Sequence, residues 1–254
     1  MSEKISPKNL ELYAQDLRKK NGLSLTESLH LKSLLQKINV ITIYKPLSDT
    51  FSGMSIKITN TNGQVYRFML VNSNHPIGKQ QFAICHELYH LFYQKQFTAA
   101  LSCAGMFDKK GNPEEYNADI FASYLLLPEA GIWEMIPEPE RTKNKITIAT
   151  ILSIEQYFGC SHSALLFRLL NMKLIDADYQ NLLRPGIISL SRKFGYNTSL
   201  YEKGNENVVI GDYGSLAYKA WEDGIISESS YIGFIKDLGI DISKLDEIQS
   251  GGDF

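Results

Sequence analysis

Apolar residues recur at helical spacing in two stretches near the start of the chain. In residues 6–21, Leu10, Ala14 and Leu17 fall on one face of a helix. Residues 24–38 continue with leucines at the same spacing. The start of the chain therefore predicts two amphipathic helices.

The pattern then changes to β-branched and alternating residues. Residues 40–44, 54–58 and 64–71 each predict a strand. Asn62 and Gly63 lie between the last two of these stretches, and this pair favours the tight turn of a β-hairpin. We therefore expect a small sheet of about three strands.

Helical patterns return after these strands. Residues 78–97 predict one long helix, and residues 113–127 predict another, with Pro113 in its first turn and Pro128 after its end. Shorter helices are predicted at 147–158, 162–171, 213–222 and 227–238. The expected fold class is α+β, mostly helical, with three regions at 1–136, 137–184 and 185–254.

Charge and composition remove several functional classes. The 254 residues include 26 Lys and Arg against 28 Asp and Glu, which disfavours a globally basic nucleic-acid binder. No apolar run approaches the ~18–20 residues needed to span a bilayer. The start of the chain has no apolar segment typical of a secretory signal, and the three separated cysteines do not suggest a disulfide framework. We therefore expect a cytoplasmic protein without a membrane partner.

The strongest chemical pattern is His-Glu-x-x-His at residues 86–90, inside the predicted long helix. His86 and His90 are four residues apart, so both imidazoles project from one face and can bind a single Zn²⁺. Glu87 follows the first histidine and is the candidate general base. The alternative is a pair of core histidines with no ligand.

A third ligand and its support are predicted on the next helix. Glu115 can complete the metal shell, and Asp119, one turn later, can accept the ring N–H of a ligating histidine, with His86 favoured. The alternative for Glu115 is a capping box with Asn112. Glu114 is a weaker competitor for the ligand role, because Glu115 has an acidic residue four positions on.

Three further residues near the motif are weaker candidates. Tyr93 could stabilise an oxyanion, although an aromatic core role is the alternative. His75 could line a cleft beside the metal. Cys85 points away from His86 on the helix and is expected to be a core thiol rather than a ligand.

Segments around the motif resemble the ImmA/IrrE family of bacterial and phage metallopeptidases. They are residues 72–76 and 81–85 before the motif, the motif itself, and residues 115–128, EYNADIFASYLLLP. The resemblance implies a zincin-like peptidase core with a gluzincin-type site and one Zn²⁺ per chain. It also implies a protein substrate, typically a helix-turn-helix repressor encoded nearby that controls stress-response or mobile-element genes. Tyr89 and Asn117 depart from the family pattern, which commonly has Gly and Glu at these positions.

A weaker resemblance covers residues 147–176, which look like the family's helix-turn-helix-like segment. Arg168 is the only basic residue predicted on its second helix, and phosphate binding needs several basic groups, so direct DNA binding is disfavoured. A protein-facing or structural role is expected instead. The sequence assigns no chemistry to residues 185–254 and leaves the oligomeric state open.

The sequence therefore favours a zinc-dependent endopeptidase, with His86, His90 and Glu115 as ligands and Glu87 as base. Its alternatives are a zinc-containing module that sequesters a regulator without cleaving it, and a DNA-binding regulator with a vestigial site. Zinc is preferred over manganese because two imidazoles and one carboxylate suit it.

Overall fold

The computed structural model describes residues 4–95, 97–103 and 112–240. It confirms the α+β class: along the chain, helices come before and after the main strands of a small mixed sheet. The helices are α1 Pro7–Lys20, α2 Leu31–Lys37, α3 Ile77–Phe92, α4 Pro113–Leu126, α5 Glu129–Met135, α6 Ile148–Phe158, α7 His162–Asn171, α8 Ala177–Leu183, α9 Ile187–Lys193, α10 Tyr213–Glu222 and α11 Glu228–Asp237. The strands are β1 Val40–Lys45, β2 Phe51–Thr59, β3 Val65–Asn72, β4 Ala99–Cys103 and β5 Val209–Ile210.

The sheet contains the three predicted strands and, among the described residues, two more. Its order is β4-β2-β3-β1-β5. The hairpin of β2 and β3 is confirmed as antiparallel, and Gly63 in its turn has a φ of +80°, which glycine adopts without strain. β1 runs parallel to β3. The short strands β4 and β5 were not predicted, because their pairing partners β2 and β1 are distant in sequence.

α3 is the central helix of the fold. It packs on β2 and β3 with one side and on α4 with another, and α1 packs on α4 in turn. Every residue from Phe82 to Leu91 is buried. A helix that is apolar or buried on most of its sides belongs to the core of a protein. The histidine motif therefore lies on a core helix.

The predicted helix over 24–38 was wrong in its first half, since α2 spans only Leu31–Lys37. The buried side chain of Arg18 explains the difference. Its Nη1 donates to the carbonyl oxygens of Ser24 and Glu27 at 2.8 Å each. Carbonyls that accept from this guanidinium are turned away from a helical ladder, so residues 24–30 form an irregular segment around Arg18.

The later helices follow the sequence pattern. α6 and α7 are confirmed, with Gly159 ending the first in the left-handed conformation and the Ser161 hydroxyl accepting from the Ala164 N–H, 3.3 Å away. The predicted helices at 213–222 and 227–238 correspond to α10 and α11. Within the described ranges, no helix is both long enough and apolar enough to cross a bilayer.

The side chain of Arg168 does not face solvent. It is 3 % exposed, lies over the Tyr124 ring with its guanidinium carbon 4.4 Å from the ring centroid, and donates to the carbonyl of Leu127. Glu129 lies 3.5 Å from its Nη2. The basic residue predicted on the helix-turn-helix-like segment is therefore packed against α4 and α5.

Candidate metal centre

The histidine pair projects from one face of α3, as four-residue spacing requires. His86 is 7 % exposed and His90 is fully buried. Their Nε2 atoms lie 3.1 Å apart. Two imidazole nitrogens held this close face a common point beside the helix.

α4 brings a carboxylate to the same point. The Oε2 atom of Glu115 lies 3.1 Å from His86 Nε2, and its Oε1 atom lies 3.5 Å from His90 Nε2. Asn112 caps α4 by accepting from the backbone N–H of Glu114, and not from that of Glu115 as a capping box would require. The Glu114 carboxylate is also engaged, since it accepts from the Tyr89 hydroxyl at 2.7 Å. Glu115, rather than Glu114, therefore reaches the histidines.

The outer ring nitrogens of both histidines face acceptors. His86 Nδ1 lies 2.8 Å from Asp119 Oδ1, and His90 Nδ1 contacts the Gln94 side-chain oxygen. These partners favour the Nδ1–H form of each ring, which leaves the Nε2 lone pairs pointing inward. Two lone pairs and a carboxylate then converge on one point, an arrangement that favours a positive charge there.

The protonation of the cluster shows the same demand for positive charge. Burial lowers the pKa of His86, but the hydrogen bonds with Asp119 and Glu115 outweigh it and raise the pKa to about 10. The pKa of His90 is lowered by burial and by the charge on His86. For Glu115, burial raises the pKa, but the hydrogen bond and charge of His86 lower it more. A proton on His86 thus supplies the positive charge that a metal ion would otherwise bring.

The donor set fits zinc. Ligand atoms of His86, His90 and Glu115 all lie within 4.8 Å of one another. Ligands about 2.0–2.1 Å from a tetrahedral zinc are about 3.3 Å apart. His86 Nε2 lies 3.1 Å from both His90 Nε2 and Glu115 Oε2, close to this value, and the other carboxylate oxygen, Glu115 Oε1, lies 3.5 Å from His90 Nε2. Two imidazoles and one carboxylate are also a usual set for a zinc site that keeps an open position.

Glu87 is buried beside the cluster and faces the sheet. It is 0 % exposed, and the Ser55 hydroxyl on β2 donates to its Oε2 at 2.5 Å. Gly53, two residues earlier on β2, lies against the other side of the carboxylate. The candidate base is therefore held between α3 and β2, next to the first histidine of the motif.

The three weaker candidates, Tyr93, His75 and Cys85, have contacts or burial in other parts of the fold. The Tyr93 hydroxyl donates to the carbonyl oxygen of Tyr13 at 3.0 Å, and the two rings stack, so Tyr93 packs against α1. His75 precedes α3, and a ring nitrogen of its side chain lies 3.0 Å from the carbonyl oxygen of Phe51, the first residue of β2, and the other lies 3.3 Å from Lys79 Nζ. Cys85 is fully buried in the core, and burial raises the pKa of its thiol to about 12.

The two departures from the family pattern have structural roles. Tyr89 is fully buried, and its hydroxyl bonds Glu114 as described above. The side-chain oxygen of Asn117 accepts from the backbone N–H of Ile5 at 3.0 Å. Tyr89 therefore links α3 to α4, and Asn117 ties the segment before α1 to α4.

Sequence reasoning missed Gln94, Ser55 and Gly53. Gln94 follows His90 by four residues, so the same helical spacing that identified Asp119 as a partner on α4 could have identified it. Ser55 and Gly53 carry no such signal, because they precede Glu87 by more than thirty residues on a different element. Only the packing of β2 on α3 brings them to the site.

Comparison with known proteins gives one finding on the family. The family model described as Peptidase_M78, IrrE N-terminal-like domain, matches residues 37–170, which is more than half of the chain. The match includes α3, α4 and the residues His86, Glu87, His90, Glu115 and Asp119. No curated protein matches the chain.

Proposed function

The chain belongs to the IrrE N-terminal-like peptidase family, and we propose that the protein is a zinc-dependent endopeptidase. The observation that carries the proposal is the convergence of His86 Nε2, His90 Nε2 and a Glu115 oxygen, with the Glu87 carboxylate one residue from the first ligand. A structural histidine pair needs neither a converging third ligand nor a neighbouring buried base.

His86, His90 and Glu115 would hold the metal. Asp119 and Gln94 keep the two imidazoles in the form and orientation that ligation needs. When bound, zinc would polarise a peptide carbonyl and make water nucleophilic near neutral pH.

Glu87 moves the protons of the reaction. Its carboxylate accepts a proton from the attacking water and then passes that proton to the amine that leaves when the peptide bond breaks. Its position next to His86 on α3 supports this role, and the hydrogen bond from Ser55 limits the movement of its carboxylate.

The proposed substrate is a helix-turn-helix repressor encoded near this gene, and the proposed setting is the cytoplasm, in a stress response or a mobile element. The family resemblance supports this substrate class. The burial of Arg168 adds support, because the single Lys or Arg residue of α7, the second helix of this segment, is packed against α4 and α5 and is not free to bind phosphates. A protein-facing role of this segment agrees better with that packing than direct DNA binding does.

The test is to incubate the pure protein with the pure repressor encoded next to it, with zinc and with a chelator. We expect mass spectrometry to find two repressor fragments with zinc and an intact repressor with chelator. Glu87→Gln should bind zinc normally but lose about 10²–10⁴-fold in cleavage rate. Glu134→Gln, an exposed residue on α5, is the matched control and should cleave as the native protein does.

A stable complex of intact chains in the presence of zinc would contradict hydrolysis and support a sequestering module. Normal cleavage by Glu87→Gln would remove the base from the mechanism. Salt-sensitive binding of the protein alone to operator DNA would support the regulator interpretation.

A further inference from the structure

The carboxylate of Glu87 lies in a small cradle on β2. Gly53 and Ser55 are two residues apart on this strand and face α3. The Ser55 hydroxyl donates to Oε2 of Glu87, and a Cβ atom added at Gly53 would lie 3.3 Å from Oε1 and 3.5 Å from Cγ. Ser55 therefore holds Oε2, and Gly53 leaves room for Oε1.

A side chain at Gly53 would be disfavoured by close contacts and not by backbone strain. Its φ is outside the left-handed region that favours glycine. A Cβ atom there would also lie 3.2 Å from the carbonyl oxygen of Leu70 on β3. That oxygen belongs to the sheet ladder, so the Glu87 side chain would have to give way.

The Ser55 bond constrains a side chain that is otherwise long and adjustable. Ser55 and Glu87 are both 0 % exposed, so bulk water does not compete for the carboxylate at this contact. A hydroxyl that donates to a carboxylate makes a short, directional bond. A serine has one proton to donate, and here that proton goes to Oε2 of Glu87.

We propose that Gly53 and Ser55 are positioning residues that set the orientation of the Glu87 carboxylate toward the reacting water. This inference rests on the proposed function, in which Glu87 is the general base. A base must be held close to its productive geometry, and displacement by about 1 Å can cost about 100-fold in rate. The cradle gives β2 a part in the reaction that the histidine motif does not reveal.

The test uses zinc-loaded protein and a quenched-fluorescence peptide that spans the bond cut in the neighbouring repressor. We expect Ser55→Ala and Gly53→Ala each to lower kcat by about 10- to 100-fold while KM changes little. Ser55→Thr keeps the hydroxyl and should recover most of the rate. Zinc affinity, measured by competition with a chromophoric chelator, should remain unchanged in all three variants.

Two control variants match the chemistry of these substitutions elsewhere in the fold. Ser123→Ala removes a buried hydroxyl that has no hydrogen-bond partner among the described residues. Gly233→Ala places a methyl group on α11, where a Cβ would meet nothing within 4 Å. Both should keep the native kcat.

Crystal structures of the variants provide a readout that does not depend on turnover. We expect the Glu87 carboxylate to be displaced in Ser55→Ala and Gly53→Ala but not in Ser55→Thr. The inference would be overturned if the Glu87 carboxylate is unmoved in both Ser55→Ala and Gly53→Ala, or if both variants keep the native kcat. If the inference fails in this way while Glu87→Gln abolishes cleavage in the same assay, the proposed function still stands. An active Glu87→Gln would instead remove Glu87 as the general base, and the absence of zinc-dependent cleavage by the native protein would remove the proposed function.

Discussion

The His86–Asp119 pair on α3 and α4 and the His162–Glu155 pair on α7 and α6 are both buried, but they differ in what the second ring nitrogen meets. His86 turns its Nε2 toward His90 and Glu115. His162 turns its Nε2 toward the carbonyl oxygen of Leu183, 3.0 Å away, while Glu155 also accepts from Tyr201. In the first arrangement, two ring nitrogens and a carboxylate face one point. In the second, the Nε2–H of the ring donates to a carbonyl oxygen of the protein.

This difference shows that a buried histidine–carboxylate pair is not by itself a metal site. In the α6–α7 pair every polar atom described above has a protein partner, so the network holds α8 and the residues around 201 to the helix-turn-helix-like segment. In the α3–α4 pair the two Nε2 atoms and the Glu115 carboxylate face one another, an arrangement that could hold a metal ion. Substitutions in the two pairs separate these cases.

Removing a proposed ligand should have the largest effect. His90→Ala deletes one of the three proposed ligand side chains. We expect zinc affinity to fall by more than about 100-fold, because losing only a hydrogen-bond partner of a ligand already costs about 10- to 100-fold. Plasma mass spectrometry of the dialysed protein measures the bound zinc. His162→Ala is the contrasting variant and should keep one zinc per chain; an equal loss there would contradict the comparison.

Breaking the closed network should instead reduce stability. His162→Ala leaves the Glu155 carboxylate buried at 0 % exposure without its imidazole partner, which should cost about 3–5 kcal/mol in the free energy of unfolding. Denaturant titration of the metal-free protein measures this change. His30→Ala, at an exposed position before α2, is the control and should unfold as the native chain does.

Weakening the support of a ligand should give an intermediate effect on the metal. Asp119→Ala removes the acceptor at His86 Nδ1, and we expect about 10- to 100-fold weaker zinc binding. Chelator competition measures the affinity. Asp178→Ala removes an exposed acid from α8 and should change nothing, and native affinity in Asp119→Ala would refute the supporting role of this residue.

The smallest effect is expected at Gln94. Gln94→Ala removes a neutral acceptor from His90 Nδ1, and a neutral hydrogen bond contributes about 0.5–1.5 kcal/mol, or roughly 2- to 12-fold in affinity. The same competition assay resolves this range. A loss as large as that of Asp119→Ala would mean that the two histidines depend equally on their outer partners.

Much of the fold could be predicted because its signals are local. The spacing of apolar residues predicted α1, α6, α7, α10 and α11, and the Asn62-Gly63 pair predicted the hairpin. Residues 24–30 could not be predicted, since the pattern of leucines is helical while the backbone carbonyls accept from Arg18. The domain boundaries at 136 and 184 stay a prediction.

The sequence by itself determined the candidate ligands on α3, because four-residue spacing on a helix places two side chains on one face whatever surrounds them. The tertiary structure decided which acid joins them, since Asn112 caps the Glu114 N–H and Tyr89 binds the Glu114 carboxylate, leaving Glu115 to face the histidines. It also placed Arg168 against Tyr124 and brought Gly53 and Ser55 to Glu87. These contacts join residues far apart in the chain, so they depend on how helices and strands pack and not on any local pattern.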